Sequence, residues 1–312
     1  MASETPESTE ITLIGAGTIG LSFAALHLTS DPTCLVTIHD KRPDLQSYIS
    51  THLPSYIPEA ALESCTKRIS YADSLQHAVK SADIIQEQGP ENAEFKTSLW
   101  PEIEKHAPQN ALLWSSTSGI PASVQVEGMR DKTRLLVVHP YNPPHIMPLL
   151  ELVPSPSTSQ DVVARTLNCW RARGRTPVVI KKECTGFVAN RLAFALFREA
   201  CSLAAQGVAS VEDIDEIVTS SMGPRWAVAG PFKAYYAGGG EGGLRSFMEK
   251  IGGTVGECWD ASDEGVRKGG IRVGAEWQEG VCEQAEDAYG VVDTGDRDAK
   301  TRRVLEAVSS RG

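Results

Sequence analysis

The sequence predicts an α/β fold, a doubly wound parallel sheet followed by a smaller all-α domain, and three observations predict it. Short apolar runs alternate with helical stretches from Glu10 to about Lys182, the pattern of strands joined by helical crossovers. A glycine fingerprint, Gly15-Ala16-Gly17-Thr18-Ile19-Gly20, follows the first apolar run. Beyond Thr185-Gly186 the strand-like runs stop and the chain reads as helix and loop. The boundary is expected near residue 183, giving a flexible N-terminus (1–9), a dinucleotide-binding domain (10–183) and a helical substrate and dimerisation domain (184–312).

Strands are expected at 11–14, 35–39, 83–86, 111–115, 135–138, 149–153 and 177–180. Helical stretches at 45–49, 60–67 and 72–80 fill the gap between the second and third strands. The segment 187–205 lacks Pro and Gly and reads as one long buried helix. The glycine run 238–243 is poorly suited to regular structure and reads as a loop.

The fingerprint has the context that gives it meaning. Ile11-Thr12-Leu13-Ile14 precedes it as a strand, and Leu21 to Leu28 continues from it as a helix. Glycines there allow the tight turn, the approach of backbone to a diphosphate and the packing of helix on strand, a Rossmann-type arrangement. The anion then sits at a helix N-terminus, among free N–H groups. Gly15, Gly17, Thr18, Ile19 and Gly20 are therefore cofactor-binding candidates. The second strand ends in Asp40, about 20 residues beyond Gly20, where a ribose-binding acid is expected. Its charge favours NAD, although Lys41 and Arg42 follow and would suit NADP.

The most informative stretch for chemistry is His139-Pro140-Tyr141-Asn142-Pro143-Pro144, followed by Pro148-Leu149-Leu150-Glu151. Pro143, Pro144 and Pro148 stiffen the connection. His139 and Glu151 then fall at neighbouring strand ends, where a carboxylate orients an imidazole and raises its basicity.

Composition narrows the rest. A net charge of −10 and a hydrophobic content of 41% describe an ordinary acidic globular chain, unsuited to nucleic acid or an anionic membrane surface. Seven scattered cysteines without CxxC spacing suggest reduced thiols rather than a disulfide or zinc framework. His139 and His145 lack a partner set with metal-ligand spacing, so no metal is expected. The polar, acidic start has no apolar signal segment, and a cytoplasmic location is expected.

Ser116-Thr117-Ser118, His139-Pro140 with Asn142-Pro143, Glu151 and Gly186-Phe187-Val188-Ala189-Asn190-Arg191 together resemble the L-3-hydroxyacyl-CoA dehydrogenase superfamily. Within it the chain looks most like the lambda-crystallin branch, whose members act as L-gulonate 3-dehydrogenases. Pro148 to Pro154, Met222-Gly223-Pro224-Arg225-Trp226 and Gly230-Pro231 support that branch. The resemblance implies an NAD-dependent enzyme with His139 as general base and Glu151 orienting it. It further implies Ser118 and Asn190 on the reacting oxygen, Glu91 and Lys96 contacting the cofactor, and a homodimer built by the helical domain. Arg225, in a segment otherwise poor in charge, is a candidate to grip a substrate carboxylate; a surface arginine, or a structural one capping carbonyls, is the competing reading.

The favoured reaction is hydride transfer from the 3-hydroxyl of a small hydroxy acid, L-gulonate or a short 3-hydroxycarboxylate, to NAD. An L-3-hydroxyacyl-CoA dehydrogenase is the alternative enzyme. The short stretch after Asp40, where relatives carry a helical insertion that helps hold coenzyme A, speaks against it. A non-catalytic NAD-binding structural or sensing protein is the alternative of another class, against which the intact Ser118, His139, Glu151 and Asn190 set argues.

Overall fold

The computed structural model describes residues 8–309. The N-terminal segment read from the sequence therefore lies outside the described residues up to residue 7. The chain divides into two compact units, one ending at Arg191 and one beginning at Leu192.

The first unit is an eight-stranded sheet with helices between its strands. In chain order its elements are β1 (Glu10–Ile14), α1 (Thr18–Ser30), β2 (Leu35–His39), α2 (Leu45–His52), α3 (Glu59–Thr66), β3 (Ile69–Tyr71), α4 (Leu75–Val79) and β4 (Ile84–Glu87). Then come α5 (Ala93–His106), β5 (Leu112–Ser115), α6 (Ala122–Gln125), β6 (Leu135–Pro140), β7 (Leu149–Pro154), α7 (Gln160–Ala172) and β8 (Thr176–Val179). The strand order is β3-β2-β1-β4-β5-β6-β7-β8. Every pairing is parallel except β6 with β7. The sheet is thus mostly parallel, with this one antiparallel pairing. The proline-rich link from Tyr141 to Pro148 is too short for a crossover, so β7 must return antiparallel.

Two apolar clusters cover the faces of the sheet. Ile11, Leu13, Trp114, Leu136 and Val138 pack with α1 and Trp170 of α7, while Ile85, Leu113, Val137 and Val153 pack with Trp100 and Ile103 of α5. Strands buried on both faces read as continuous apolar runs, which is why most were legible. The strand β3 was not expected: three residues long and largely exposed, at the sheet edge, it carries no apolar run. The helix expected at 72–80 contracts to α4, because Ser74 caps it by accepting the His77 N–H at 3.3 Å.

The expected helix at 187–205 begins instead at Ala189, as α8 (Ala189–Ala205). Phe187 is buried at φ 52°, after Gly186 at φ 73°, and those left-handed residues exclude a helical start there. Nor is α8 buried: Leu192, Phe194 and Phe197 are 59%, 62% and 63% exposed. From Leu192 onward the second unit is helical. It continues through α9 (Val211–Ser220), α10 (Met222–Val228), α11 (Pro231–Gly238), α12 (Gly243–Lys268), α13 (Trp277–Tyr289) and α14 (Thr294–Ser309). The glycine run is therefore not a plain loop. It ends α11, makes one 3-10 turn and starts α12, using Gly240 and Gly243 at positive φ.

Candidate active site

The cofactor cradle lies where the strand order reverses, between β1 and β4. Gly15 sits at φ 102°, and a Cβ there would approach the Gln88 carbonyl oxygen at 2.9 Å. A Cβ on Gly20 would fall 2.1 Å from the Gly15 carbonyl oxygen, so this residue permits the first turn of α1 to close on the loop. Gly17, by contrast, faces open space and caps α1 without a side-chain bond. The cradle thus leaves room for a diphosphate at a helix N-terminus whose donors no side chain occupies. Asp40 follows β2, its Oδ2 accepting the Ala16 N–H at 2.7 Å and its Oδ1 the Arg42 N–H at 2.9 Å. These two bonds hold the acid beside the fingerprint.

The catalytic candidates meet at the same carboxyl end of the sheet, further along at β6 and β7. Antiparallel register places His139 of β6 directly opposite Glu151 of β7. Their side chains bond, Nδ1 to Oε2 at 2.8 Å, in a buried setting. The second oxygen of Glu151 accepts the N–H groups of Val188 and Ala189 at 2.9 and 3.0 Å, using orphan donors at the start of α8. Burial pushes the Glu151 carboxyl up, but the His139 bond and the two amides outweigh it, leaving the group below its ordinary range. An ionised Glu151 requires the His139 proton on Nδ1. Nε2 is then the nitrogen left with a lone pair, the arrangement of a general base.

A loop after β5 brings in the serine. One oxygen of Glu91 accepts from the Thr117 hydroxyl at 2.5 Å, from the N–H groups of Ser118 and Gly119 at 3.0 Å each, and from the Ser118 hydroxyl at 3.3 Å. Asn190, in the first turn of α8, donates its amide to the Ser118 carbonyl at 3.4 Å. Ser118 and Asn190 are therefore neighbours, and Asn190 is not the cap of its helix. On the opposite side Gln86 donates to the Ser116 hydroxyl at 3.1 Å and bonds His27 Nε2 at 2.9 Å. Burial, reinforced by the Arg173 charge, lowers His27 to about 3, so this imidazole is neutral and structural.

Comparison with known proteins shows the family. Residues 10–184 match the NAD binding domain of 3-hydroxyacyl-CoA dehydrogenase, and residues 186–269 match its C-terminal domain. The chain belongs to the 3-hydroxyacyl-CoA dehydrogenase family. A 3-hydroxyacyl-CoA dehydrogenase of Gibberella moniliformis is 35% identical over 256 residues, 80% of each chain. An L-carnitine dehydrogenase of Streptomyces coelicolor is 31% identical over 309 residues, 97% of this chain and 95% of that one. Among solved structures, an NAD+-dependent 5-formyl-3-hydroxy-2-methylpyridine 4-carboxylic acid 5-dehydrogenase superposes with a TM-score of 0.76 at 26% identity, over 98% of this chain and 100% of the other. NAD is the cofactor this family domain binds.

Within this 3-hydroxyacyl-CoA dehydrogenase frame, one expected site residue changes role. Lys96 does not line the cleft: it is 0% exposed, and its ammonium lies 2.8 Å from both oxygens of the equally buried Glu87. Glu87 also accepts the Gly89 N–H at 2.7 Å and the Ser115 hydroxyl at 3.2 Å. The pair braces the turn after β4 from beneath, since a charge so enclosed demands a bonded counter-charge. Glu87 itself was missed in the sequence; an acid nine residues before a lysine gives no periodic signal across a strand and a helix. Arg225 lies in the second unit, on α10, exposed and without a side-chain hydrogen bond or ion pair among the described residues. That exposure fits the reading of Arg225 as a surface arginine and gives no carbonyl for it to cap. No group of three or more metal-ligating side chains occurs among the described residues. No helix there is long and apolar enough to cross a membrane.

Proposed function

We propose that the chain oxidises the 3-hydroxyl of a short, free 3-hydroxycarboxylate, with L-carnitine ahead of L-gulonate as the substrate to try. The buried His139–Glu151 pair carries this reading. As the C3 hydride leaves and the C3–O bond becomes a carbonyl, Nε2 of His139 takes the hydroxyl proton and Glu151 offsets the imidazolium charge. NAD, when bound in the fingerprint cradle, supplies the hydride acceptor. Ser118 and Asn190 stabilise the changing oxygen as hydrogen-bond donors, and Glu91 holds the Ser118 loop for the cofactor and the substrate alike. Similarity to an L-carnitine dehydrogenase across nearly the whole chain favours a free acid over a thioester.

A homodimer belongs to the same proposal. The segment Leu192 to Phe197 contains no charge and stands largely exposed on α8, and a second copy of this surface is the self-complementary way to cover it.

The test follows NADH formation with L-carnitine, L-gulonate, 3-hydroxybutyrate and 3-hydroxybutyryl-CoA, for the wild type and His139→Ala. Turnover of a free acid, reduced roughly 10²- to 10⁴-fold in the variant, is the expected result. Turnover of the thioester alone replaces the substrate with an acyl-CoA. NAD binding without any turnover leaves a cofactor-binding protein and overturns the catalytic reading.

A further inference from the structure

Arg42 raises a question that family membership does not answer. A cation just beyond the ribose acid is the usual means of holding the 2′-phosphate of NADP. Here that guanidinium is already engaged. Its Nε donates to Asp44 Oδ1 at 2.8 Å and one terminal nitrogen reaches Asp44 Oδ2 at 3.5 Å. Its Cζ lies 3.3 Å from the centroid of the Tyr48 ring, which also meets His52 at 4.4 Å between centroids. The backbone N–H of Arg42 is bound by Asp40, the residue that also fixes the fingerprint loop.

The Arg42–Asp44 pair is 30% and 56% exposed, and an exposed pair of this kind adds little stability. Nor does Asp44 cap α2 with its side chain. What the pair does is fix the direction of a charge beside the ribose site. A planar guanidinium held flat on one aromatic ring presents its other face to solvent, the geometry on which a second flat ring stacks.

We propose that Asp44 and Tyr48 park Arg42 away from the ribose 2′ position. Rejection of NADP then rests on Asp40 and Asp44 together, and the open face of Arg42 serves as a stacking surface for the adenine ring. The proposal concerns cofactor binding alone and is independent of which hydroxy acid is oxidised.

Equilibrium titration of NAD, NADP and nicotinamide mononucleotide against the wild type, Asp44→Ala, Arg42→Ala and the double variant tests it. Asp44→Ala is expected to tighten NADP by about tenfold, by releasing Arg42 to the phosphate and removing a repelling charge. Most of that gain disappears when Arg42 is also alanine. Arg42→Ala alone weakens NAD by about threefold and leaves the mononucleotide, which has no adenine, unchanged. Thermal denaturation midpoints are expected to be unaffected, because neither side chain is part of the core. An equal gain in NADP affinity with and without Arg42, or no gain at all, overturns the parking role. Undiminished NAD affinity in Arg42→Ala overturns the stacking role.

Discussion

Trp100, Trp114 and Trp170 of the first unit are wholly enclosed, and two of them bond their indole N–H to Gln125 and Thr166 at 2.9 Å each. Phe194, Phe197, Phe232 and Trp259 of the second unit are all mainly exposed. The first unit stacks helices on a sheet and encloses two apolar clusters. The second has helices with apolar stripes but buries little beyond Cys201, Ala204 and Ile271. A layer of secondary structure is stable when a second layer covers its apolar face, and the helices of the second unit lack much of that cover. The catalytic candidates, whose positions would have to be exact to fractions of an ångström, fall in the well-covered unit. His139, Glu151, Ser118 and Asn190 all belong to the first.

The sharpest way to break this contrast is to unsettle the first unit from inside. Lys96→Met leaves Glu87 charged and alone in the core, and the expected cost is about 3–5 kcal/mol of folding stability. Chemical denaturation measures it. A variant of unchanged stability and weakened NAD affinity instead returns Lys96 to the cofactor site.

The second unit is tested by charging its exposed stripe. Phe194→Asp combined with Phe197→Asp is expected to dissociate the proposed homodimer, each ring contributing about 1.5–3 kcal/mol if fully covered there. Sedimentation velocity reads the mass. A wild type that is already monomeric at high concentration, or a variant that stays dimeric, removes α8 from the interface.

The last effect concerns acid and is gradual, felt per pH unit. His27 is held far below its ordinary value of 6.5, so the unfolded chain takes up this proton first. Its contribution is complete above 6.5 and is lost as pH falls from there towards 3, by at most about 1.4 kcal/mol per pH unit. Glu151, lowered from 4.5, subtracts only below its own ordinary range, so urea titrations above it isolate His27. His27→Gln should flatten the slope; an identical slope in the variant assigns the acid sensitivity to other groups.

Much of this was legible in the chain. Buried parallel strands need unbroken apolar runs, and a dinucleotide turn needs glycine where a Cβ would strike backbone; both requirements are local, and both are written at Ile11 to Gly20. The pairing of His139 with Glu151 was also foreseeable, because a short proline-bound link constrains two strand ends to lie together. The edge strand β3 was not, since nothing packs tightly enough on it to demand an apolar run. Phe187 was taken for helix because propensity does not reveal a left-handed residue beside a glycine.

By itself, then, the sequence determined the elements and residue types set by short-range sterics and burial periodicity: the sheet, the fingerprint, Asp40 and His139. Tertiary structure decided most of the other contacts between charged groups. It turned Lys96 inward onto Glu87, gave one oxygen of Glu91 four donors from a distant loop, set Glu151 against the first amides of α8, and laid Arg42 on Tyr48. The reason is physical. Hydrogen bonds and ion pairs depend on distances of a few tenths of an ångström and on exclusion of water, and neither exists until the chain has folded.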